Sequence, residues 1–152
     1  MTTTPVLAPV PGRAVRMEEV PDPVFAQLMV GPGAAVDPPR GVVDAVAPVS
    51  GTVLKVLPHA FVILTADGLG ILVHLGIDTV QLDGKGFTPA VQRGQRVHPG
   101  DLLAEIDLKV INEAGYDPTT IVVVTNSAQL TSVEAAATGT VEQGRPVLTV
   151  AI

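Results

Sequence analysis

Three histidines occur in the 152 residues, and two of them sit in short apolar runs of similar character. His59 lies in Pro58-His59-Ala60-Phe61-Val62-Ile63, and His74 in Val73-His74-Leu75-Gly76-Ile77-Asp78-Thr79-Val80. Each run reads as a strand, and Asp67-Gly68-Leu69-Gly70 reads as the break between them. An antiparallel pair of this kind brings the two imidazoles side by side. Neutral imidazole is a competent nucleophile near pH 7 because much of it is unprotonated there. Attack on phosphorus yields a phosphohistidine, whose labile P–N bond suits onward transfer, and covalent relay divides one hard step into two easier ones. A second ring beside the first can donate a hydrogen bond to a phosphoryl oxygen as charge develops. Phosphoryl transfer asks mainly for positioning and charge neutralisation. Two other uses of the pair stay open. A histidine in an apolar strand is commonly a satisfied core residue, and two imidazoles, His59 and His74, can hold Zn²⁺ with Asp78 as a third ligand.

The elements that must position these rings are short and β-rich. Hydrophobic residues make up 47% and charged residues 16%, with 15 Gly and 14 Pro, while aromatics are only 3%, so the core must be Val, Ile, Leu and Ala. β-Branched runs cut by Gly and Pro predict an all-β fold, an antiparallel β-sandwich or barrel with Greek-key or jelly-roll-like connections and one or two short helices. Strands are expected at Val42–Ala47, Thr52–Leu57, Ala60–Ala66, Gly70–Leu75, Leu102–Ile106, Ile121–Val124, Gly139–Glu142 and Val147–Ala151. A short helix is expected over Asp107–Ala114, with Gly115 as its stop, and a helical turn at Asp22-Pro23. Residues 1–10, rich in Thr and Pro, read as a flexible tail, and residues 11–152 as a single domain.

A net charge of −6 argues against nucleic-acid binding and suits a partner with a basic face. Without cysteine there is no disulfide, thiolate metal site or Cys nucleophile. Residues 1–10 lack the basic start and apolar stretch of a secretory signal, and no apolar run approaches the roughly 20 residues of a membrane span. A cytoplasmic location without membrane insertion is expected. Ala47-Pro48-Val49-Ser50-Gly51-Thr52-Val53, Arg93 to Leu103 and Thr138 to Leu148 share a turn, Gly and apolar-pair pattern. It resembles the turns of biotinyl- and lipoyl-type sandwich domains, without their modified Lys tip, so the likeness is architectural.

His74-Leu75-Gly76-Ile77-Asp78-Thr79-Val80, preceded by Pro58-His59-Ala60-Phe61, resembles the glucose-family IIA component of the bacterial phosphoenolpyruvate-dependent sugar phosphotransferase system. The resemblance runs from about Pro11 to Ile152 and includes Val20-Pro21-Asp22-Pro23-Val24-Phe25, Met29-Val30-Gly31-Pro32-Gly33, Gly86-Phe87 and Gly94-Gln95-Arg96-Val97. It implies that His74 takes phosphate from the small carrier HPr and gives it to a cysteine of a sugar-specific IIB domain. It implies that His59 hydrogen-bonds the phosphoryl group and that Asp78 lies beside the site. Phe25, Met29, Val30, Val62, Leu72 and Val80 match an apolar rim that receives both partners, although the bare sequence reads each as core. No cofactor is required, zinc at the histidine pair being adventitious or regulatory, and a monomer is implied. Two positions depart from the family. Leu57 stands where relatives often carry a Thr that fixes the supporting ring, and Lys55 where some have an apolar rim residue. His98 matches no family site and reads as a solvent-facing turn residue.

Two other functions compete. His74-x-x-x-Asp78 resembles a ligand pair of lysostaphin-type zinc peptidases, but the downstream His-x-His those enzymes need is missing. A non-catalytic regulatory protein acting on transporters or kinases through the same face is compatible with phosphate relay; loss of either histidine would have favoured it alone.

Overall fold

Alternating and β-branched runs dominate the chain, and most of them become strands. The computed structural model describes residues 3–26, 31–39, 41–125, 132–135 and 139–151. Its strands are β1 (Thr3–Leu7), β2 (Gly12–Val15), β3 (Gly33–Asp37), β4 (Val42–Val46), β5 (Gly51–Leu57), β6 (Ala60–Leu64), β7 (Gly70–Ile77), β8 (Phe87–Pro89), β9 (Arg96–Val97), β10 (Leu102–Asp107), β11 (Asp117–Val124), β12 (Ser132–Ala135), β13 (Thr140–Val141) and β14 (Pro146–Ala151). Two short helices, α1 (Pro23–Ala26) and α2 (Leu108–Glu113), and 3₁₀ turns at Met17–Glu19 and Thr79–Leu82 complete it.

An eight-stranded sheet runs β13-β2-β3-β11-β7-β6-β5-β9, and two three-stranded sheets run β4-β10-β8 and β1-β14-β12. Every pairing is antiparallel among the described residues. The chain shuttles between sheets, the jelly-roll-like kind of connection expected from the sequence. Period-two alternation then divides the large sheet. Phe61, Ile63, Ile71, Val73, Leu75 and Val122 pack from its inner face into one core with Val6, Leu103, Ile106 and Leu148 of the small sheets. On the outer face Met17, Val20 and Phe25 cover Ile121, Val123, Ala35 and Ile77 in a second, smaller cluster.

The N-terminal tail is corrected by the structure. β1 pairs with β14 from Thr3 to Leu7, and Val6, Ala8 and Val10 are wholly buried. Pro5 misleads a sequence reading, because its missing N–H costs little on a strand at the sheet edge, where β1 lies. The expected helix is α2: the Asp107 carboxylate accepts the Lys109 N–H at 3.1 Å, and Gly115 follows at φ 86°. β2, β3, β8, β9 and β12 join the strands expected from the sequence.

Candidate functional site

β7 presents Ile71, Val73 and Leu75 to the main core and leaves Leu72 and His74 on the outer face. Directly opposite His74 stand Ala60 on β6 and Ile121 on β11. The small Ala60 leaves room for a second ring, and His59 supplies it. The strand bounds expected from the sequence, Thr52–Leu57 and Ala60–Ala66, leave His59 between them, and the structure places it there rather than within a strand. Leu57 pairs with Ala60, so Pro58 and His59 are the two residues of the turn joining β5 to β6. The His59 carbonyl accepts the Leu75 N–H at 2.7 Å, tying that turn to β7. The two imidazoles meet edge to face, with centroids 5.1 Å apart and planes at 78°.

The His74 tautomer follows from its partner. Nδ1 lies 2.6 Å from the Gly76 carbonyl oxygen. A carbonyl only accepts, so Nδ1 carries the proton and Nε2 keeps the lone pair. The Gly76 carbonyl is aimed by local backbone. Gly76 sits at φ 86°, and a Cβ there would stand 2.5 Å from Thr79 Cγ2, so only glycine fits. The Thr79 hydroxyl donates to the Leu75 carbonyl at 2.7 Å and locks the turn from below. Asp78, between them, is left-handed at φ 60° and exposed.

Burial disfavours the charged form of both rings. Burial pulls the His74 pKa below the ordinary 6.5, opposed by the Gly76 carbonyl and the negative fields of Asp22 and Asp78. Burial, and then the neighbouring His74, lower that of His59. Those same fields would offset positive charge appearing on His74 as its lone pair is spent. His59, only 8% exposed, has Phe87 on its other side at 6.5 Å between centroids. Among the described residues no protein group hydrogen-bonds its ring, and Leu57, two residues before it, carries no polar side-chain group to do so. Among the described residues, three His, Cys, Asp or Glu side chains are nowhere gathered as a metal set.

The expected rim separates into parts. Phe25 is 8% exposed, and its ring lies 5.3 Å from that of His74; it is a wall beside that imidazole and part of the outer cluster. Val62 and Leu72 pair across β6 and β7 and are half-buried. Val80 is 54% exposed. Met29 and Val30 lie outside the described residues. Leu57 and Leu64 are exposed as well; β5–β6 register places Leu57 beside Ala60, and strand alternation places Leu64 two positions beyond Val62. The sequence reading missed the Gly76 carbonyl and the field of Asp22: a backbone acceptor carries no side-chain signature, and Asp22 comes near only once α1 is folded against the sheet. His98 lies in an exposed turn, its N–H held by Asp101 at 2.8 Å.

His74, its Nδ1 against the Gly76 carbonyl and a second imidazole beside it, thus lies on the outer face of an antiparallel sheet. Residues 4–130 match the family model of the phosphoenolpyruvate-dependent sugar phosphotransferase system, EIIA 1. The chain is 51% identical over 130 residues to the glucose-specific EIICBA component of Streptococcus pneumoniae serotype 4, covering 84% of this chain and 18% of that one. It is 45% identical over 127 residues to the glucose-specific EIIA component of Halalkalibacterium halodurans, covering 82% and 72% respectively. The solved glucose permease IIA of Mycoplasma capricolum superposes with a TM-score of 0.90 at 38% identity, over 98% of this chain and 96% of that one. The chain belongs to the EIIA 1 family of the sugar phosphotransferase system. It spans less than a fifth of the first of these relatives but most of the second.

Proposed function

We infer that the protein is a phosphocarrier: His74 accepts a phosphoryl group from phosphorylated HPr and passes it to the cysteine of a IIB sugar-permease domain. The observation that carries this reading is the 2.6 Å contact between His74 Nδ1 and the Gly76 carbonyl, which leaves Nε2 as the nucleophile on an open face. Nε2 attacks phosphorus in line, the bond from phosphorus to the donor breaks, and its electron pair returns to the donor. Nδ1 keeps its proton throughout. Asp22 and Asp78 offset the positive charge gathering on the ring. His59 donates an N–H to a phosphoryl oxygen as negative charge builds there. In the second half the IIB thiolate attacks, the P–Nε2 bond breaks, and its electrons return to Nε2. The phosphoryl group is carried covalently, and no further cofactor takes part. The acidic surface steers HPr in, and the apolar rim (Val62, Leu72, Val80) gives both partners one docking face. The name of the pneumococcal relative, a single EIICBA chain, supports a IIB partner. The protein acts as a monomer in the cytoplasm. The family model and the absence, among the described residues, of any helix long and apolar enough to cross a membrane are compatible with that.

Incubation with phosphoenolpyruvate, enzyme I and HPr, followed by intact-mass measurement, tests the reading. One acid-labile phosphate per chain, mapping to His74, is expected; label on His98 or on Ser or Thr would overturn it. A second reading, a regulatory protein that binds transporters or kinases through the same face, draws on the exposure of Val80, Leu57 and Leu64. Stoichiometry separates the two, because a scaffold would take up no label.

A further inference from the structure

His59 has no hydrogen-bonding partner on its ring among the described residues, yet its ring is seated between His74 and Phe87 at 5.1 and 6.5 Å. We propose that Pro58 is the positioning residue for His59, holding that imidazole through the backbone of a two-residue turn. Three observations carry the proposal. The turn is as short as a hairpin allows, since Leu57 already pairs with Ala60. Pro58 fixes its own φ near −65°, which excludes the primed turns that dominate such hairpins, because those need positive φ at the first central residue. His59 is likewise not at positive φ, the described non-glycine residues in that region being Asp78 and Asp83. Non-primed turns splay strands, and β5 answers with a register shift between Val53 and Lys55, a bulge that adds local twist.

The Pro58 ring stays exposed to solvent but faces the loop that follows the Thr79–Leu82 turn: a Cβ built on Gly84 would stand 3.5 Å from its Cβ and Cγ. The His59 carbonyl bond to Leu75 fixes the next peptide group, the one between His59 and Ala60. A ring-locked φ before it and a backbone bond after it therefore aim the His59 Cα–Cβ bond at His74. A side-chain hydroxyl would restrain the imidazole directly; here the restraint is exerted one bond earlier.

The rate arm of the test rests on the phosphocarrier reading; the spectroscopic arm does not. In the unaltered protein, His59 three-bond Hα–Hβ couplings should report a single rotamer, with ring-to-ring NOEs to His74 and Phe87. Averaged couplings in that protein would overturn the proposal without any variant. In Pro58→Ala and Pro58→Gly the couplings should average and the NOEs weaken, more in Gly, while melting temperature moves by a few degrees. Discharge of phosphate to a IIB domain should fall tenfold or more. Pro58→Ala added to His59→Gln should cause no further loss, because Pro58 acts only through that ring. Retained rotamer order in both proline variants, or additive losses in the double variant, would refute the assignment. If His74 takes no label at all, the phosphocarrier reading fails, and the couplings still decide the role of Pro58.

Discussion

At the scale of single residues, the proposed phosphocarrier function divides the work between the two histidines, and their losses should differ. His74→Ala removes the attacking nitrogen and should abolish labelling. His59→Gln keeps an amide donor in altered geometry, so uptake should persist while discharge to IIB falls by about 10²–10³, the usual effect of losing one preorganised donor. Separate uptake and discharge rates check this; discharge at the parental rate would make His59 a structural neighbour only. Acid should also act on the pair. Both rings have folded-state pKa values below the unfolded 6.5. The unfolded chain therefore binds more protons in that window, and stability rises with pH through it. The contribution is complete above about pH 6.5 and is lost as pH falls through the depressed folded values. Melting temperatures between pH 8 and 5 should decline on the acid side, and a His59→Gln/His74→Gln variant should show a shallower decline. An equal slope in both proteins would mean that the pair is not the source. The histidines themselves were legible because their apolar setting is unusual for a chain with only three. The tautomer was not, since the Gly76 carbonyl that selects it belongs to the backbone.

At the scale of elements, β7 and its neighbours were readable because alternation and β-branching agree there, and α2 because Asp107 and Gly115 bracket an i, i+3 apolar pattern. The N-terminal strand was not. Thr-Thr-Thr-Pro reads as loose chain, and only the vacant side of β14 explains why it is ordered. Deleting residues 1–10 should therefore do more than trim an end. Val6 and Val10 are completely buried, and each buried Val is worth about 1.5–3 kcal/mol, so a loss of roughly 3–6 kcal/mol is expected before strand pairing is considered. Against a typical total of about 5–15 kcal/mol this is a large fraction. Urea unfolding of the truncated chain checks it, and an unchanged midpoint would show that β1 contributes nothing. The Gly76 turn is the second element-scale test. Gly76→Ala places a Cβ 2.5 Å from Thr79 Cγ2 at a φ of 86°, a strain of about 1–3 kcal/mol. It should also shift the Gly76 carbonyl away from His74 Nδ1. Phosphate uptake should then drop by more than the loss of folded protein explains, and the His74 ring nitrogens should lose their single-tautomer NMR pattern.

At the scale of the whole molecule, the proposed docking predicts that the net charge of −6 and the apolar face govern different parts of an encounter. Charge acts at a distance and should be screened by salt, with a Debye length near 8 Å at physiological strength. Apolar contact acts after collision and should appear mainly in dissociation. A variant that reports on the face must leave the fold intact, and this decides which residue to alter. Phe25, which the family resemblance puts on the rim, is an unsuitable probe: it is buried in the outer cluster against His74, and Phe→Ala there should cost about 3–5 kcal/mol. Its loss would slow transfer whether or not a partner ever touches it. Val80 is the clean choice, since it is 54% exposed on the 3₁₀ turn just beyond His74. Val80→Asp should leave melting temperature nearly unchanged and still allow full labelling at saturating HPr. The apparent second-order rate of transfer should fall severalfold, because an apolar contact is replaced by a charge that must be desolvated on docking. Raising salt from 50 to 500 mM should slow association of the parent and the variant alike. Stopped-flow transfer rates across both conditions separate the contributions. Rates insensitive to Val80→Asp would place the docking face elsewhere on the sandwich, and rates insensitive to salt would remove the acidic surface from the encounter.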